Sequence, residues 1–218
     1  MNEMQINHHL SDELLMAYSA GILPEAFSLV VATHISMCDE CRARLASFDA
    51  IGGAMMDQAA GADVSDDSFA STLKLISDGP KDAILTERVP ASKVPAPLHQ
   101  YLPEGGLDAI RWRSVGMGVK QAILPTSKDA SVRLLKIPAG VAVPDHGHRG
   151  TELTLVLQGA FRDDHDRFGP GDLEIADEDM HHTPVAEDGE DCICLAATDA
   201  PLRFNGLLPR IAQPFVGI

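Results

Sequence analysis

Gly140-Val-Ala-Val-Pro-Asp-His146-Gly-His148-Arg-Gly-Thr-Glu152-Leu-Thr-Leu-Val-Leu-Gln-Gly159 spells G-x5-H-x-H-x3-E-x6-G. In extended backbone, residues two apart point the same way, so His146 and His148 face one side. Glu152 opens the next strand-like run and shares their parity. A barrel interior lined by these groups would bind a divalent metal, since imidazole and carboxylate together suit such ions. A further histidine strand would complete the shell. His181 or His182 follows the turn Gly169-Pro-Gly171-Asp172 at a suitable distance.

The surrounding chain is β in character from about Tyr101 onward. The runs 132–137, 152–157, 172–176 and 192–195 read as strands. Turn signals separate them at short spacing, among them Pro138-Ala-Gly140, Gly169-Pro-Gly171 and Asp188-Gly189. Such spacing predicts an antiparallel sandwich or barrel. The tail from Pro209 carries apolar residues that can pack back on it.

Residues 1 to about 56 read as helical. Ser11 can cap a first helix that Gly21 ends, with Asp12 and Glu13 at its positive pole and Leu14, Leu15, Ala17 and Tyr18 on one face. Pro24 suits the first turn of a second helix, striped by Phe27, Val30, Val31, His34 and Ile35. A third starts near Cys38, carries Cys41, Leu45, Phe48 and Ile51, and weakens at Gly52 and Gly53. A core of that size is marginal by itself. Residues 66–77 form one more amphipathic helix, with Phe69, Leu73 and Ile76 at i, i+4 and i+7. It is either a fourth core helix or a partner-binding arm. Pro80, Pro90, Pro95 and Pro97 then mark a linker. The domains are therefore 1–78, a linker 79–100, and 101–218.

A second metal pattern lies at the corner of helices two and three. His34-Ile-Ser-Met-Cys38-Asp-Glu-Cys41 spells H-x3-C-x2-C. Zinc suits two thiolates and imidazole in a tetrahedral site, and would brace a small helical unit. The fourth ligand comes from His8 or His9, and His9 is nearer the helix start. No βαβ context supports a redox C-x-x-C.

The net charge of −15 argues against direct grip on nucleic acid or anionic membrane. It leaves a basic protein partner open, and the charge is not a tail effect: 6 basic and 14 acidic residues precede Tyr101, against 11 and 18 after it. Met1 to Leu10 has no basic segment followed by an apolar run, so no secretory leader is expected. No apolar run reaches transmembrane length. The expected compartment is the cytoplasm.

These motifs carry a family resemblance. The 140–159 segment resembles the first cupin motif. Gly169-Pro-Gly171-Asp172 followed by His181-His182-Thr-Pro184 resembles the second, without its trailing Asn. The H-x3-C-x2-C trio is similar to the zinc-binding anti-sigma domain. Together, in this order and joined by a Pro-rich linker, they resemble the ChrR family of anti-sigma factors. That resemblance implies two domains, an all-α zinc-binding unit and an all-β cupin of jelly-roll type. It implies an N-terminal zinc held by His9, His34, Cys38 and Cys41. It implies a cupin zinc, or another divalent metal, held by His146, His148, Glu152 and His182. It also implies a regulator, not a catalyst: a 1:1 complex with an extracytoplasmic-function (ECF) sigma factor, masking its surfaces for RNA polymerase. The cupin half would serve sigma release under oxidative stress of the singlet-oxygen type. Phe69, Leu73 and Ile76 are candidates for partner binding. The alternative is a metal-dependent cupin enzyme of oxygenase or isomerase type with a helical appendage. Cys192 and Cys194 share a strand face, either as small buried residues or as an oxidisable thiol pair.

Overall fold

The computed structural model describes residues 5–79, 94–147, 149–201 and 203–204. The helices follow their caps. The Ser11 side chain accepts from the Leu14 amide at 3.3 Å and opens α1 (Asp12–Ser19). Gly21, at φ 68°, takes the left-handed turn that follows. Pro24 is the N-cap of α2 (Glu25–Met37), one position before the helical turn where the sequence suggests it. Only Cys38, at φ −113° and ψ 108°, separates α2 from α3 (Asp39–Asp57). α3 runs straight through Gly52 and Gly53 to Asp57. Each glycine costs about 1 kcal/mol against Ala, which the flanking Ala50, Ala54, Met55 and Met56, all good helix formers, offset. α4 (Ser68–Asp78) forms as expected and buries none of its side chains, so it is not a fourth core helix.

Residues 80–93 of the expected linker lie outside the described residues. Its C-terminal end is folded: a 3-10 helix, Ala96–Tyr101, starts on Pro95 and Pro97 and packs on α2 with Leu98 fully buried. Proline's fixed φ suits the first turn of a helix, so these prolines start structure instead of preventing it. A second 3-10 turn is Gly106–Ala109.

Among the described residues, twelve strands follow: β1 (Arg113–Gly116), β2 (Val119–Leu124), β3 (Ser131–Ile137), β4 (His146–Gly147), β5 (Glu152–Gln158), β6 (Phe161–Arg162), β7 (Arg167–Phe168), β8 (Leu173–Ala176), β9 (His181–His182), β10 (Val185–Ala186), β11 (Cys192–Thr198) and β12 (Arg203–Phe204). Their pairings are antiparallel. A six-stranded sheet runs β1-β2-β3-β11-β5-β8, and two short sheets run β10-β6-β7 and β12-β4-β9.

The central strands β3, β11 and β5 are buried on both faces. Val132 and Leu134, Leu153 and Leu155, and Ile193, Leu195 and Ala197 face outward and join Leu15, Phe27, Val30, Val31 and Leu45 of the helices in one core. The alternate positions Ile137, Val156, Cys192 and Cys194 face inward and meet Phe161 and Phe168. The helical unit, too small for a core of its own, thus uses the barrel's outer wall as half of it. The same burial explains why 152–157 and 192–195 read as nearly unbroken apolar runs.

Candidate metal centres

The first centre forms where two helices turn on one residue. His34 sits in the last turn of α2, Cys38 is the corner, and Cys41 lies in the first turn of α3. The coil before α1 brings His9 to them. His9 Nδ1 is 3.3 Å from Cys38 Sγ and 3.7 Å from Cys41 Sγ, and His34 Nε2 is 3.3 Å from Cys41 Sγ. These four ligand atoms lie within 4.8 Å of one another, so a His2Cys2 group able to hold a metal is present. Metal–ligand bonds of about 2.0–2.3 Å in a tetrahedron give separations of this size. His8, the other half of the doublet, turns away: its Nε2 is 3.0 Å from Asp166 and its ring lies 4.4 Å from Phe168.

The surroundings prepare the donors. Burial lowers the His34 pKa to about 4, so the imidazole is neutral at pH 7 as a metal ligand must be. Its Nδ1 reaches no acceptor in full hydrogen-bond geometry, yet the Gly171 carbonyl is near enough to favour its proton. Burial pushes the Cys41 thiol up to about 11, a thiol that a bound cation would deprotonate. The Cys41 amide donates to Cys38 Sγ at 3.4 Å, and Glu40 lies 3.4 Å from His9 Nε2. Carboxylates on the outer nitrogen of a ligating histidine are a usual second shell.

The second centre lies inside the barrel. β4 and β9 pair in a register that sets His146 opposite His182. Their Nε2 atoms face each other at 3.2 Å, while His146 Nδ1 is 2.8 Å from the Pro144 carbonyl. Burial lowers the His146 pKa to about 4. Burial alone would lower His182 as well, but the Glu174 carboxylate, 2.9 Å from its Nδ1, raises it on balance. Asp163 Oδ2 lies 3.5 Å from the same nitrogen, so Asp163, Glu174 and His182 form a second potential metal group on that side. Glu152 is close enough for its charge to act on His182, and its carboxylate accepts from Thr154 Oγ1 at 3.1 Å. His148 lies outside the described residues. His181 points out over Gly147, where a Cβ would come within 2.5 Å of its ring. Glu174 and Asp163 were not singled out from sequence. The alternation of β8 turns Leu173 outward to the core shared with the helices and Glu174 inward, a signal that was available.

Cys192 and Cys194 are buried with their sulfurs 3.5 Å apart. The hydrogen bond between them, and then burial, push the Cys194 thiol well up, which leaves it inert at neutral pH. No helix among the described residues is long and apolar enough to cross a membrane.

Residues 106–201 match the family model described as the ChrR cupin-like domain. Over 219 aligned residues, 99% of this chain and 100% of the relative, the sequence is 58% identical to anti-sigma-E factor ChrR of Cereibacter sphaeroides. This chain belongs to the ChrR family of anti-sigma factors. It is also similar to a solved structure, that of Rhodobacter sphaeroides SigE in complex with the anti-sigma ChrR, at 57% identity and a TM-score of 0.79 over 89% of this chain and 99% of that one. The ChrR likeness thus spans both the helical unit with its His2Cys2 group and the barrel with its facing histidines, and it favours a regulator over a cupin enzyme.

Proposed function

We propose that this protein binds an ECF-type sigma factor 1:1 in the cytoplasm and inhibits it by covering its RNA-polymerase-binding surfaces. One observation carries the reading. α4 turns its apolar residues to solvent: Phe69 is 74% exposed, Leu73 47% and Ile76 72%. Ile51, Met55 and Met56, in the second half of α3, are exposed as well. An unpartnered apolar face of this kind marks a protein-binding site. The class of partner comes from the family and from the complex of its relative with SigE.

Zinc fits the His2Cys2 group best, because two thiolates and two imidazoles form one of its usual structural sites. There it would fix the corner between α2 and α3 and so the direction in which α3 presents its apolar end. His146, His148, Glu152 and His182 would hold zinc or another divalent ion in the barrel, as a sensor for sigma release under oxidative stress of the singlet-oxygen type.

The test is binding of the purified full-length chain to the ECF sigma factor encoded with it, for wild type and for Phe69→Asp with Ile76→Asp. The double variant is expected to unfold at the same denaturant concentration as wild type and to bind at least about 30-fold more weakly, as loss of interface anchors does. Unchanged binding would contradict the reading.

A further inference from the structure

We infer that the barrel turn 169–173 forms the outer shell of the helical domain's metal site, and that Asp172 is its positioning residue. The inference rests on the reading of His9, His34, Cys38 and Cys41 as metal ligands.

Asp172 is 1% exposed and divides its two carboxylate oxygens between the two halves of the protein. Oδ2 accepts from the Gly169 amide at 2.8 Å and closes the barrel's own turn. Oδ1 accepts from the amides of Asn7 and His8 at 2.6 and 2.9 Å, across more than 160 residues of sequence. The clamp is reciprocal: the His8 carbonyl accepts from the Leu173 amide at 3.3 Å. Residues 7 and 8 are thereby fixed immediately before His9. Without this clamp His9 would sit on a coil segment, and placing it would cost the conformational entropy of that coil.

Gly171 makes a second contribution. Its φ is +88°, and a Cβ there would lie 2.6 Å from Ile6 Cδ1, so the segment preceding the clamp rests directly on bare backbone. The barrel thus fixes the approach of His9, while His34, Cys38 and Cys41 are placed by α2 and the α2–α3 corner. A turn needed only for the barrel fold would use Oδ2 and the Gly171 conformation, and would have no use for Oδ1 aimed at Asn7 and His8.

The experiment uses the full-length chain loaded with cobalt(II). Thiolate-to-cobalt absorption reports the Cys38/Cys41 site alone, because the barrel donors carry no sulfur. Competition with zinc and a chelator then gives that site's zinc affinity. Asp172→Ala is expected to weaken it by about 10- to 100-fold, the usual effect of losing an outer-shell partner, while the barrel's metal content stays at the wild-type level. Asn7→Pro, which deletes one donor and leaves the barrel's own residues unchanged, is expected to weaken it in the same direction. If Asp172→Ala loses both metals, it has lost the fold, and Asn7→Pro decides. Wild-type affinity in both variants, or in Asn7→Pro where it decides, overturns the inference. A wild-type chain without the thiolate band, or a Cys41→Ala variant that keeps it, instead overturns the metal reading on which the inference rests.

Discussion

Two histidine doublets show what a single side chain's direction decides. His8 and His9 are neighbours in coil, where no periodicity tells which one turns inward. His181 and His182 are neighbours on a two-residue strand, where parity is set by pairing with His146 and Gly147. His9 is the nearer of its pair to helix one, His182 is the one the family motif points to, and both rings turn into the clusters. The carboxylates behind them were harder to see, because Asp163 comes from a charged run that reads as solvated, yet its side chain is buried against His182. His9→Ala is therefore expected to remove one metal equivalent per chain and His8→Ala none, and likewise His182→Ala one and His181→Ala none. Elemental analysis of the desalted proteins checks this, and loss in His8→Ala or His181→Ala would reverse the assignments. Glu174→Ala is expected to weaken the barrel site about 10- to 100-fold, read by chelator competition, because the carboxylate that holds the His182 ring is lost.

At the scale of the element, the readable parts were those with caps and long periods. Ser11, Gly21 and the i, i+4, i+7 pattern of 66–77 located helices to within a residue or two. The strand runs 132–137, 152–157 and 172–176 match β3, β5 and β8 to within one residue, and 192–195 starts with β11 but stops three residues short of its end. The strands of two residues carry no period to read, β1 is short and mostly exposed, and β2 sets the polar Lys120 and Gln121 among its apolar residues. β5 and β11 hide their alternation because both faces are covered. Leu195→Ala, at a fully buried outward position of β11, is expected to cost about 2–5 kcal/mol in denaturant unfolding. Ile123→Ala on β2, which is exposed, is expected to stay within about 0.5 kcal/mol of wild type. Equal effects at the two sites would deny that helices cover the central strands only. Gly52 has open space where a Cβ would stand, so Gly52→Ala is expected to stabilise α3 by about 0.5–1 kcal/mol in the same assay.

The whole molecule joins its halves more closely than the sequence suggests. Composition and the proline run point to two domains on a tether, and the marginal size of the helical core was legible. The compensation was not: it lies in long-range packing of α2 on β3, β5 and β11, which no local pattern encodes. Among the described residues, the second half of α3 and all of α4 carry exposed apolar side chains, which the proposed complex would cover. An acidic chain with a net charge of −15 would also be drawn to the basic faces that a sigma factor offers to nucleic acid. The decisive measurement is transcription in a purified system, with RNA polymerase core, the co-encoded ECF sigma factor and a promoter that it recognises. Adding this protein at one equivalent per sigma factor is predicted to abolish the transcript and to yield a 1:1 complex by light scattering. Full transcription at several equivalents, with sigma and this protein eluting apart, would contradict it.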